Sequence, residues 1–249
     1  MSRGRRGAAM TKVGKSDSYD ALGAALRAVG GSERAAWDKG YHKSRWEHWG
    51  VPTPQMVLAI RQVTGTLDQA ELLQLSGRLW RTPIWDLKIA SIRLLANKAL
   101  PLDERLWALV TQRMDDLDGW AVADNLADIA GRCLVADPSR LDVVEGWVES
   151  PHLWTRRASL VFTLPWTKAG RDPERSLDWA ARLKTDREWF IQKAIGWWLR
   201  ELSKRDPERV RRFLADHGEA LGGVARREAI KYLGERRPRG RREGVGAVE

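Results

Sequence analysis

The feature that most constrains this chain is an internal period. Asp137-Pro138, Asp172-Pro173 and Asp206-Pro207 recur at steps of 35 and 34 residues, and Asp103-Glu104 lies 34 residues before the first. An aspartate can satisfy the orphan amides of a helix's first turn, and a proline there is already held near helical φ. Each site therefore predicts a helix start. A second series is interleaved with the first: Ile89-Ala90, Ala123-Asp124, Arg157-Ala158, Lys193-Ala194 and Glu228-Ala229, at steps of 34, 34, 36 and 35. Small residues in that register let neighbouring helices approach closely. Two helices per repeat of about 35 residues is the signature of a helical solenoid. The predicted fold class is all-α, a curved α-solenoid of helical repeats. Predicted helices cover roughly 18–29, 33–47, 54–63, 68–80, 84–98, 102–114, 119–134, 138–149, 152–163, 173–183, 187–204, 207–216 and 222–234. No convincing period-2 run of β-branched residues competes with them.

Composition narrows the function. At 249 residues, 43% hydrophobic and 31% charged, the chain suits a soluble globular protein with an ample core. It has no apolar run of the length, about 18 residues, that a membrane span needs. One cysteine, Cys133, excludes an internal disulfide and a cysteine-rich zinc site, and reads as core. His42, His48, His152 and His217 show no ligand spacing, and no phosphate-loop, dinucleotide or His-Glu-x-x-His pattern occurs. The formal net charge of +10 is uneven: +5 in residues 1–15, −4 in 16–150, +7 in 151–234 and +2 in 235–249. That distribution points to a polyanionic partner, with ordinary solvated surface as the competing explanation. The expected organisation is a flexible basic tail over 1–17, a single domain over 18–234 and a flexible Arg-rich tail over 235–249.

The repeat register has one exception. Where four copies carry alanine, the copy at 124 is aspartate. A carboxylate where packing wants a methyl costs stability unless it is paired, hydrated or used. Trp120 lies four residues earlier, one turn away on the same helical face. Arg157 sits beside the equivalent slot of the next repeat. Each has an ordinary reading: most of the 14 tryptophans, Trp80, Trp107, Trp147 and Trp179 among them, fit the core, Asp124 alone reads as exposed or capping, and Arg157 as partner of a nearby acid. The three together on one stripe make a candidate site.

Several segments resemble the bacterial DNA alkylation-repair glycosylases built from HEAT-like repeats, the AlkD family. The strongest match is Trp189-Phe190-Ile191-Gln192-Lys193-Ala194-Ile195-Gly196-Trp197-Trp198-Leu199-Arg200-Glu201, followed by Arg227-Glu228-Ala229-Ile230-Lys231. Leu153-Trp154-Thr155-Arg156-Arg157-Ala158 and Tyr41-His42-Lys43-Ser44 with Gly50-Val51-Pro52-Thr53-Pro54 support it. The similarity spans about residues 20–235 and is loosest over 40–110. It implies a catalytic aspartate at Asp124, sugar-contacting tryptophans at Trp120 and Trp197, an arginine near the lesion backbone at Arg157, and the second-helix tyrosine at Tyr41. One departure stands out: the family's Trp-Asp-x-x-Asp is here Trp120-Ala121-Val122-Ala123-Asp124.

The function so implied is hydrolysis of the N-glycosidic bond of cationic N3- or N7-alkylated purines in duplex DNA. A purine carrying a formal positive charge needs no general acid. What helps is an anion facing the cationic sugar and an oriented water. The resemblance further implies engagement from the backbone side, without base flipping. The missing motifs leave a monofunctional hydrolysis without metal or cofactor, groove-type binding needs only a monomer, and the expected place is the bacterial cytoplasm at the nucleoid. Lys43, Lys88, Arg156, Lys193, Arg226, Arg227 and Lys231 are the candidate phosphate contacts, alongside Tyr41. Two alternatives stay open: a catalytically silent module that binds bent, branched or damaged DNA, and a protein-interaction scaffold.

Overall fold

The computed structural model describes residues 15–234, with side chains from residue 18 onward. The basic segments read as tails are, apart from residues 15–17, outside the described residues. The described residues form two compact units, divided between Asp172 and Pro173.

The first unit contains ten α-helices: α1 (Lys15–Val29), α2 (Ser32–His42), α3 (Thr53–Thr64), α4 (Gln69–Trp80), α5 (Trp85–Leu95), α6 (Glu104–Thr111), α7 (Trp120–Ala136), α8 (Leu141–Glu145), α9 (Leu153–Val161) and α10 (Leu164–Lys168). The second contains α11 (Glu174–Arg182), α12 (Trp189–Ser203), α13 (Pro207–His217) and α14 (Gly223–Ala229). Short 3-10 turns fill several junctions, and the one β feature among the described residues is an isolated bridge between Glu47 and Ile84. The all-α helical-repeat expectation holds.

The capping arithmetic works locally. Asp103 accepts the amide of Leu106, Asp137 that of Ser139 and Asp206 that of Arg209, each offsetting an orphan donor worth about 1 kcal/mol. At Asp172-Pro173 the proline itself occupies the N-cap position of α11. A further copy begins α4: Asp68 and Glu71 form a reciprocal capping box, 35 residues before Asp103. Helices opened by this series alternate with helices carrying the small-residue slot, namely α5, α7, α9, α12 and α14. Ala90, Ala158, Ala194 and Ala229 are all buried there, so the slot is a packing position.

Two expected boundaries shift. The helix predicted over 33–47 ends at His42, because Lys43 turns into the left-handed region at φ 49° and the next residues are tied elsewhere. Ser44 Oγ donates to Asp118 Oδ2 at 2.8 Å and the Arg45 amide to the same oxygen at 3.0 Å. Those bonds clamp the end of α2 to the segment that leads into α7. The loop beyond is held by buried Asp86, whose carboxylate accepts the amides of Trp49 at 2.7 Å and Val51 at 2.9 Å. Between them Gly50 has φ +69°, and a Cβ there would collide with Gly31 and Ala35. The second shift is α10, a helix not predicted. Its Pro165 sits in the first turn, where proline is tolerated, and packs against Gly131 of α7, which leaves no room for a Cβ.

Candidate functional site

In the first unit the odd member of the slot series, Asp124, lies on α7 with a side chain 22% exposed, whereas the alanine copies are at most 1% exposed. Arg157, on α9 packed against α7, is 4% exposed in its side chain. Its guanidinium donates to Asp124 three times: Nη2 to Oδ2 at 3.0 Å, Nη2 to Oδ1 at 3.1 Å and Nε to Oδ1 at 3.3 Å. Burial pushes the Asp124 carboxyl above the usual carboxylate range, and the charge and hydrogen bonds of Arg157 oppose that rise. The two elements therefore hold a partly desolvated anion, oriented by a fixed fork. The sequence reading placed Arg157 near a DNA phosphate. In the free protein its guanidinium is engaged by Asp124 instead.

Trp120 opens α7, one turn before Asp124, and is half-buried. Tyr41, at the end of α2, sets its ring edge-on to Trp120 at 5.9 Å and 86°. His42 also meets Trp120, with ring centroids 5.4 Å apart. Behind it, His42 stacks on Trp85 at 4.7 Å, and Trp85 on buried His48 at 4.9 Å. Burial lowers the pKa of both imidazoles, so each favours the neutral form. His42 is a residue that sequence reasoning missed. Its place beside Tyr41 was visible, but the contact with Trp120 depends on the Ser44–Asp118 clamp.

The remaining candidates of this unit divide. Lys43 and Tyr41 are both exposed, Tyr41 against the Trp120 ring. Arg156 is half-buried and donates to the backbone oxygens of Ser150 and Pro151 at 2.8 and 3.0 Å, bracing the turn before α9. Lys88 is a correction. Its ammonium is buried, donates to the Trp80 carbonyl at 2.6 Å and Asp116 at 2.9 Å, and lies over the Trp46 and Trp80 rings. Burial lowers its pKa against the pull of Asp116. The group is structural, because α5 is buried on nearly every side, and it presents no charge to a phosphate.

In the second unit, α12 carries Gln192, Lys193, Gly196, Trp197 and Arg200. Lys193 donates to Glu228 of α14 at 2.6 Å, and Arg200 pairs with the other oxygen of the same carboxylate. Lys193 thus spends its charge largely on Glu228, which the sequence reading did not foresee. Glu228 is held below the usual carboxylate range by the Lys193 hydrogen bond first and by Arg200 as well. Arg226, Arg227 and Lys231 are exposed, and Trp197 is half-buried. Gln192, nine-tenths buried, joins two loops: its amide donates to Lys184 and Asp186 carbonyls at 3.0 and 2.8 Å and accepts the Gly222 amide at 2.7 Å. Gly196 allows α12 and α14 to touch, since a Cβ there would stand 2.7 Å from Glu228 Cβ and 2.8 Å from the Ala225 carbonyl.

Among the described residues no three His, Cys, Asp or Glu side chains come together to hold a metal ion, and no helix is long and apolar enough to cross a membrane.

Comparisons with known proteins add family and fold. Residues 22–233 match the family described as DNA alkylation repair enzyme. A structure described as a predicted DNA alkylation repair enzyme from Enterococcus faecalis is 23% identical, covers 83% of this chain and 98% of its own, and superposes with a TM-score of 0.69. AlkD2 from Streptococcus mutans is 18% identical over 74% of this chain and 91% of its own, with a TM-score of 0.56. The protein smu.31 from Streptococcus mutans UA159 gives 18% identity, 72% and 92% coverage and a TM-score of 0.55. Among curated protein sequences none matches.

Proposed function

The chain belongs to the DNA alkylation repair enzyme family, and from that premise we propose that it is a monofunctional DNA glycosylase acting on cationic N3- or N7-alkylated purines in duplex DNA. The reading takes residues 18–234 as one working domain, active as a monomer in the cytoplasm at the nucleoid.

The observation that carries the reading is the Asp124 carboxylate: anionic, partly desolvated, fixed by Arg157 and one turn from Trp120. The N-glycosidic bond of an alkylated purine breaks with its electron pair passing to the ring, which neutralises the base. The sugar left behind carries developing positive charge. Asp124 opposes that charge with an oriented anion whose strength is not diluted by bulk water. Water attacks the sugar carbon, and its proton passes to Asp124 and then to solvent, so a carboxyl pushed upward is a better base than an ordinary one. Trp120 offers an indole face to the cation, worth about 0.5–2 kcal/mol. Trp197, in the second unit, is in this reading a further indole that contacts the DNA, and Tyr41 contacts the strand. Lys43, Arg156, Arg226, Arg227 and Lys231 are the phosphate contacts it retains. Recognition from the backbone side needs no extruded base.

A second reading, a silent DNA-binding module, draws on Ala121. It is buried at 6% exposure, where the resembled motif has an acid. One assay separates them. Wild-type protein is expected to release 7-methylguanine or 3-methyladenine from methylated duplex DNA without added metal, and Asp124→Asn to lose at least a hundredfold in rate with DNA affinity nearly intact. Equal background release by both proteins overturns the enzyme and leaves the module.

A further inference from the structure

Trp37 and Tyr41 stand one turn apart on α2, and their rings stack at 4.9 Å with planes 11° apart. Tyr41 then meets Trp120 edge-on. Three aromatic rings thus form a continuous row whose inner member precedes Asp124 by one turn. The outer two are exposed, Trp37 at 61% and Tyr41 at 56%. An indole left in water forgoes the stabilisation that burial of a large apolar side chain would bring. A stacked, two-torsion side chain also loses little freedom when something docks on it.

The surrounding charge says what kind of partner fits. Lys43 is exposed at the C-terminal end of α2, and Lys39 is exposed on the same helix, off the face that carries the rings; of the helix's two acids, Asp38 is buried and paired with Arg34 at 3.3 Å, and Glu33, one turn before Trp37, is exposed. Exposed aromatic faces on a helix that also carries exposed lysines suit a polyanion whose repeating unit has an apolar surface between its charges. A nucleic-acid strand is such a polymer: phosphates for the lysines, deoxyribose C–H faces or bases for the rings. The row is also continuous with Trp120, which the proposed reaction places at the sugar of the damaged nucleotide.

We propose that Trp37 forms a binding subsite for the deoxyribose of a nucleotide flanking the lesion, extending the aromatic row from the reacting sugar to its neighbour along the strand. This rests on the glycosylase reading for the position of the lesion. Trp37 does not touch the reacting bond. Its contribution is register and affinity, and a ring face against a sugar is indifferent to base sequence.

The test measures base release and, in parallel, equilibrium binding on duplexes with one 7-methylguanine. Each flanking nucleotide in turn is replaced by a three-carbon phosphodiester linker without sugar or base, or by a tetrahydrofuran residue that keeps the ring and lacks the base. For wild type, the linker on the engaged flank is expected to raise KM and Kd about tenfold, with kcat little changed and the tetrahydrofuran residue well tolerated. Trp37→Ala is expected to show that tenfold loss already on the intact duplex and no further loss from the linker, while Trp37→Phe keeps most of the affinity. Unchanged KM and Kd in Trp37→Ala overturn the proposal, as does a linker penalty equal in both proteins. A tetrahydrofuran penalty as large as the linker's makes the base the contact and overturns the sugar assignment. A sedimentation change in Trp37→Ala with normal DNA binding makes the face a self-association surface. Should wild type release no base at all, the glycosylase reading fails, and the binding arm still decides whether Trp37 meets a flanking sugar.

Discussion

Arg157 grips Asp124 by both carboxylate oxygens, its Nη2 standing 3.0 and 3.1 Å from them. The pair joins α9 to α7, and it does so at the one slot of the repeat where the sister copies carry a buried methyl. Two opposed influences meet on the carboxyl: burial favours its protonated form, Arg157 its anion.

If Asp124 must be ionised, base release falls as the pH drops through the Asp124 pKa, which lies above the ordinary value of about 3.9. Removing Arg157 removes the influence that lowers this pKa. Arg157→Ala is therefore expected to move the acid limb of the rate–pH profile upward and to cut the plateau rate about tenfold or more. A profile with its acid limb in the wild-type position separates Arg157 from the ionisation of Asp124.

Lys88 provides a contrast. With its ammonium buried between Trp80, Trp46 and Asp116, truncation leaves the Trp80 carbonyl without its donor and Asp116 with Arg45 as its remaining ion-pair partner. Lys88→Ala is expected to lower unfolding free energy by about 3 kcal/mol, and to leave the salt slope of DNA binding unchanged. A fall of about one unit in that slope, with stability intact, restores Lys88 to the phosphate track.

Glu228 gives an acid-dependent stability. Its folded pKa is depressed, so its stabilising contribution is present above the unfolded value of about 4.3 and fades as pH falls through the folded one. Glu228→Gln is expected to be less stable than wild type by about 1 kcal/mol at pH 7, with the gap closing in acid. Denaturant midpoints across pH 2.5–7 read this directly. The substitution also removes one negative charge beside Lys193 and Arg200, so DNA affinity is expected to rise. A gap that stays constant with pH shows that the carboxylate's charge is not what stabilises the fold.

Gly196 tests the close approach of α12 and α14. A methyl there meets Glu228 Cβ and the Ala225 backbone, neither of which is a flexible side-chain end. Gly196→Ala is expected to cost about 1–3 kcal/mol in thermal or denaturant unfolding despite alanine's better helix propensity. A variant as stable as wild type means the two helices separate readily.

Sequence and structure agree where the signal is local. The aspartates at 103, 137 and 206 cap their own following turns, and the alanine slot is buried wherever it recurs. Asp68 belongs to the same series and, like Asp103, lacks the proline that marks the later copies, so its membership shows in the capping box it forms with Glu71. The failures are tertiary. The end of α2 is set by Asp118, more than 70 residues away, so the periodic pattern through Trp46 overran it. Pro165 reads as a breaker until Gly131 is seen beneath it. Lys88 and Lys193 look like surface cations in a one-dimensional string, and only packing reveals Asp116 and Glu228 as their partners. Within the site, the Asp124–Trp120–Arg157 stripe was legible because it broke a register, whereas Trp37 and His42 broke none.

The capping aspartates carry a consequence for how such a chain can change. Each start signal is read within four residues of itself, so it keeps its meaning wherever a neighbouring unit is duplicated or lost. Length can therefore change by whole modules of about 35 residues while every surviving start stays correctly punctuated, whereas an insertion of a few residues between a start and its alanine would misalign the partner helix. The carboxylate at 124 is then a single altered letter in a recurring phrase, and its chemistry depends on the neighbouring copies remaining in step.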